Sequence, residues 1–256
     1  MKVAMYALLL LPAAALASSA FDGTWKTRMD SFKVSGKPDV FAIADGTYTC
    51  SSCVPEIKIK ADGTDQKVTG HAYYDSIAVK VMSPTSVHIT NKLAGKEISS
   101  VTYSTSANGS TLSGKFVDNS GAKTATGAFT ETRVAAGPAG SHAISGSWQA
   151  GQLTDQNDVS RTVVYSMSAD AFAMHWNGQS YEAKFDGKEY PVTGDPGQTS
   201  VTLKRIDGNT VVETDHRLGK VTDEIRMAAA KDGKSIDVTD KDVQHGQTVS
   251  FTLEKQ

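Results

Sequence analysis

The residues best suited to chemistry are the two cysteines of the chain, spaced Cys50-Ser51-Ser52-Cys53. That spacing serves several chemistries. A thiol–disulfide exchange pair normally sits at a helix N-terminus, where the helix dipole lowers one thiol pKa. Here Thr47-Tyr48-Thr49 leads in and Val54-Pro55 leads out, so no strand-to-helix junction is visible. A c-type haem attachment places His directly after the second Cys, and Val54 stands there. A zinc site needs two further ligands at suitable spacing, and no second pair exists. A local structural disulfide formed in an oxidising compartment is therefore preferred over a redox pair. Its loop is so small that closure stabilises only modestly. No metal and no cofactor are expected.

The six histidines do not cluster. His71 and Asp75 share a face if their segment is extended, but strand rise puts them about 13 Å apart, too far for one ion. Asp215 and His216 are adjacent and point to opposite faces of a strand. Gly-x-Ser-x-Gly, His-Glu-x-x-His and a phosphate-cradling glycine loop are all missing, so no catalytic residue is assigned. Three residues are candidates for contact with a ligand. Arg133 and Arg226 could turn inward and orient an anionic group. Trp176, beside His175 and before Asn177-Gly178, could line a cavity mouth.

The elements that must position these residues read as strands. Residues 161–168 are β-branched and aromatic. Residues 171–176 alternate around Phe172 and Met174, and Tyr181, Ala183 and Phe185 alternate with Glu182 and Lys184. Period-2 alternation argues for strands with one buried and one wet face. Asp62-Gly63, Asn108-Gly109, Asn177-Gly178, Asp186-Gly187, Asp207-Gly208 and Asp232-Gly233 punctuate such runs, and these dipeptides favour hairpin turns. Helical periodicity is nearly absent, save a possible turn of helix within residues 30–38.

The chain also contains two copies of one unit. Residues 62–96 shifted by 124 positions fall on residues 186–220 with 11 identities in 35 positions and no gap, where chance gives roughly two. Gly23-Thr24-Trp25-Lys26 resembles Gly146-Ser147-Trp148-Gln149 at a shift of 123, so each copy opens on Gly-x-Trp. Consecutive hairpins build an up-and-down sheet, and closure removes its edges. The expected fold is all-β: two tandem antiparallel up-and-down β-barrels, with two open, sandwich-like sheets as the alternative. The expected domains are a first repeat over 21–134, a short Gly/Pro linker over 135–145 and a second repeat over 146–256.

Residues 1–20 read as a secretory signal peptide. Lys2 supplies a positive start, residues 4–16 are almost wholly apolar, and small residues follow from Ala15 to Ala20. The apolar run is shorter than the roughly 20 residues a membrane helix needs, so a periplasmic or secreted protein without a membrane span is expected. The formal net charge is −2 with no basic block, which leaves nucleic-acid binding without an electrostatic footprint.

Phe21-Asp22-Gly23-Thr24-Trp25-Lys26 resembles the opening strand of lipocalins and fatty-acid-binding proteins, and Gly146-Ser147-Trp148 repeats it. Hairpin order and copy length are similar to that calycin group, and the tandem arrangement resembles a set of secreted bacterial proteins. The resemblance implies a lipocalin-like barrel with a ligand cavity inside it. The chain departs from the fatty-acid-binding pattern, whose last strand carries Arg-x-Tyr; here the copies end Thr132-Arg133-Val134 and Phe251-Thr252-Leu253-Glu254. The expectation is an exported protein binding a small hydrophobic or amphipathic ligand in a barrel cavity. A ligand-free structural or protein-interaction module of the cell envelope is the alternative.

Overall fold

The computed structural model describes residues 19–256. The signal peptide expected at residues 1–20 lies outside the described residues up to position 18. No helix among the described residues is long and apolar enough to cross a membrane. Nearly every element is a strand, and the strands form two antiparallel, nearly closed barrel-like sheets of ten and eleven strands. The exceptions are a 3-10 turn at Met29–Ser31 and a four-residue helix at Asp158–Arg161, N-capped by the Asn157 side chain.

The two sheets do not follow the boundary between the sequence copies. One, here the N-barrel, runs from Asp39–Ala44 through Ala125–Ala136 and adds Gly146–Gln156, the opening strand of the second copy. The other, the C-barrel, runs from Thr162–Met167 to Gln247–Lys255 and takes in Gly23–Thr27, the opening strand of the first copy. The copies have thus exchanged their Gly-x-Trp strands. Residues 135–145, read as a linker, make the turn of a hairpin inside the N-barrel, with Gly137 N–H bonded to the Ser145 carbonyl. Consecutive antiparallel strands usually pair, and Ala125–Ala136 pairs with the strand that follows it. The C-barrel is left to close on the chain's first strand. Lys33–Gly36 then pairs with Gln247–Lys255 on the way to the N-barrel.

The two barrels share strand register at the 124-residue shift. Asn91 pairs with Ser99 and Ser99 with Asp118; 124 positions on, Asp215 pairs with Asp223 and Asp223 with Asp242. Each barrel has its own apolar core. Trp148, Ile144, Val79, Val87 and Leu112 are fully buried in the N-barrel, and Trp25, Phe21, Phe172, Val211, Met227 and Ile236 in the C-barrel.

Candidate functional site

The two tryptophans form barrel floors. Trp25 and Trp148 have no exposed surface, and each indole N–H donates to the carbonyl four residues back, Phe21 and Ile144, at 2.8 Å. A cation covers each ring: Arg133 lies 4.0 Å above Trp148, and Lys255 lies 5.5 Å from Trp25. Arg133 also donates to the carbonyls of Gly109, Ser145 and Ala143. Its guanidinium is spent on closing the N-barrel floor. Arg226 is exposed on the outer face of Lys220–Ala229, between Ile225 and Met227, which pack on the core. Arg226 lies outside its barrel, whereas Arg133 caps the end of the N-barrel core over Trp148.

At the opposite end of the strands the barrels differ. The inner face of the C-barrel carries two cross-strand rows, Asp215–Asp223–Asp242 and Glu213–Ile225–Asp240. The same positions of the N-barrel hold Asn91–Ser99–Asp118 and Ile89–Val101–Phe116. One copy therefore has five carboxyls where the other has one. Like charges directly opposite one another in a sheet are destabilising, and buried charges cost more. Burial favours the protonated form at Glu213 and Asp240, while Arg217 partners Asp215 and Asp223 and His245 partners Asp242. Burial pushes the Glu213 carboxyl far above its usual range, and the neighbouring Asp215 charge adds to the rise. Asp240 is raised to about 7, by burial first and the Asp223 charge second. Tyr181 donates its hydroxyl proton to Glu213. Arg217 reaches Asp223 at 2.7 Å and Asp215 at 3.3 Å, and donates to Thr199 Oγ1 and Thr222 Oγ1.

Arg217 also marks where the barrels meet. Tyr73, from the N-barrel, places its ring 5.4 Å from the Arg217 guanidinium and its hydroxyl 3.4 Å from Thr199 Oγ1. Gly197 makes room for it: a Cβ there would stand 2.6 Å from the tyrosine ring. A second latch lies at Asn177, whose side-chain oxygen accepts from Lys123 N–H and whose amide donates to the Lys123 carbonyl.

Between the barrels, beside the Tyr73 contact, lies a cleft of about 490 Å³. Val54, Pro55, Ala72 and Leu218 give it apolar surface, and Arg217, Lys220 and His245 give it charge. His245 is raised above its usual pKa by its 2.6 Å bond to Asp242. On the N-barrel side His71 stacks on Tyr74 with ring centres 4.6 Å apart. Cys53 lines the cleft, while Cys50, its disulfide partner, is buried on Thr47–Cys50. No helix follows the pair. Trp176 is placed away from this cleft, at a neighbouring recess of the same seam.

Of the three residues singled out in the sequence, Trp176 lines two recesses of the seam. Arg217, Tyr73 and the carboxyl rows were not singled out, because alternating Asp, Glu and Thr look like a wet sheet face. Setting the copies side by side at the 124-residue shift exposes them: Ile89 becomes Glu213 and Phe116 becomes Asp240. Comparison with known protein families, with curated proteins and with solved structures found no match.

Proposed function

We propose that this is an exported carrier protein that holds a small amphipathic molecule in the cleft between its two barrels. The observation that carries this reading is the cleft itself, which both barrels build and which joins apolar to cationic surface. Its volume lies within the range of small-molecule sites. The apolar part of the ligand rests on Val54, Pro55, Ala72 and Leu218, and an acidic or hydrogen-bonding head meets Lys220, His245 and Arg217. The site differs from the expected barrel interior, where packed side chains such as Trp25, Phe172, Met227 and Leu253 occupy the C-barrel core. The leader-like N-terminus and the Cys50–Cys53 disulfide support export. The lipocalin-like opening motif supports a carrier role.

Production in a bacterial periplasm, followed by native and denaturing mass spectrometry, tests the reading. The expected result is a non-covalent adduct in the native spectrum that disappears on denaturation and gives the ligand mass. A bare chain in both spectra contradicts it. That outcome favours a ligand-free interaction module, for which the exposed Leu218, Val221 and Val243 supply apolar surface.

A further inference from the structure

The mouth of the N-barrel opens into a second recess of about 370 Å³, which shares Tyr73 and Tyr74 with the cleft and adds Ile98 and a row of uncharged polar groups around one carboxyl. Asn91, Ser99 and Asp118 contribute the inner-face row described above, Ser120 follows it, and Tyr73 and Tyr74 stand at the side. Trp176 and Gln179 come from the C-barrel. The Asn177 latch holds the Trp176 strand against the N-barrel, so the indole is placed by the docking of the two barrels. Asn91 donates to Ser99 Oγ at 3.1 Å, and Asp118 accepts the Ser120 N–H at 2.8 Å, which fix the orientations of both side chains.

This lining selects among ligand classes. A purely apolar molecule would leave the remaining hydrogen-bonding capacity of the Asn91 amide and the Asp118 carboxylate unmet. An anion would meet Asp118, the single charged side chain of the lining, with no cation beside it. A neutral ring that carries hydroxyls on its edge and C–H bonds on its face satisfies both halves of the site. The hydroxyls exchange hydrogen bonds with Asn91, Asp118 and Gln179, and the C–H face packs on an aromatic ring, whose face is electron-rich. The geometry points to a saccharide-binding site at the mouth of the N-barrel, with a neutral sugar ring stacked on Trp176. This site adjoins the cleft, sharing Tyr73 and Tyr74 with it, and does not depend on the carrier reading.

Trp25 and Trp148 are fully buried, which leaves Trp176 as the one tryptophan that reaches solvent. Acrylamide quenching of the mature protein therefore reports on the surroundings of Trp176, and Asp118, which lines this recess alone of the two at Trp176, assigns the protection to it. Glucose, galactose, maltotriose and cellotriose are the probes, at millimolar concentration. At least one is expected to protect Trp176 saturably from acrylamide and to show saturation transfer from the protein to its ring protons in NMR. Trp176→Ala is expected to weaken that transfer by about tenfold, equivalent to one aromatic stacking contact. Trp176→Phe keeps part of it, and Asp118→Ala lowers it. Lys220→Ala, in the cleft and outside the recess, leaves it unchanged, which separates this site from the proposed carrier site. Circular dichroism checks that each variant is folded. Failure of all four sugars to protect Trp176 or show transfer overturns the proposal. So does transfer that is undiminished in folded Trp176→Ala and Asp118→Ala.

Discussion

Leu218 sits at the tip of a hairpin with φ 51°, followed by Gly219 at φ 72°. A branched side chain in the left-handed region costs about 1–2 kcal/mol, and here two-thirds of it stays exposed, at 67%. Nothing in the core repays that cost, but the side chain forms part of the cleft lip. Leu218→Asn is therefore expected to stabilise the fold by about 0.5–1 kcal/mol, since Asn tolerates this region. The same change should weaken ligand retention. Urea denaturation and native mass spectrometry read the two effects, and a destabilised variant would contradict the argument. Arg133 is the opposite case. Its truncation to Ala leaves three carbonyls without their donor and uncovers Trp148, so a loss of about 2–4 kcal/mol is expected in the same denaturation experiment. The sequence marked Arg133 as a possible inward cation, but no local signal reveals that a tryptophan from the other copy lies beneath it.

Strand positions and many turns were legible, because period-2 alternation and Asx-Gly pairs are local. Even so, the turn chemistry divides. Asn177-Gly178 has two positive φ values, as a two-residue hairpin turn requires. At Asp62, Asn108, Asp186 and Asp232 the side chain instead accepts the backbone N–H two residues on, and only the glycine takes positive φ. The strand exchange was not legible. Gly23-Thr24-Trp25 and Gly146-Ser147-Trp148 are near equivalents, so pattern alone lets either strand close either barrel. Connection length and hairpin pairing decide. The exchange makes each barrel depend on the other copy, so removal of residues up to 32 should expose the edges beside Thr162–Met167 and Gln247–Lys255. Hydrogen exchange in those two strands should then accelerate while the N-barrel strand Ala125–Ala136 stays protected. Equal acceleration in both barrels would contradict the assignment. At the seam, Gly197→Ala displaces Tyr73, and faster proteolysis within residues 70–75 is expected.

Taken whole, the molecule stores unfavourable carboxyls in both barrels. Glu131 of the N-barrel is raised to about 8, by burial and then by the Asp39 charge, Asp240 to about 7, and Glu213 is raised as well. A carboxyl whose folded pKa is raised binds its proton more tightly in the native state. Its contribution is fully present below the unfolded pKa, near 4.5 for Glu, and is lost as pH rises through the folded value. His245, raised by Asp242, acts in the same direction. His71, lowered chiefly by burial, acts against them as a single group. Stability is therefore expected to rise as pH falls from about 8 toward about 5, by up to about 1.4 kcal/mol per pH unit for each such carboxyl. Glu131→Gln should remove the N-barrel share of this slope in urea titrations at several pH values. A slope of opposite sign would contradict the burial argument.

On the proposed reading the ligand lies between the barrels. The most direct test fills the cleft: Ala72→Trp in the periplasmically produced protein, compared with the unaltered chain by native mass spectrometry. The unaltered chain is expected to carry its adduct and the folded variant to have lost it. An adduct of the same mass and occupancy on the variant would place the ligand elsewhere and contradict the account.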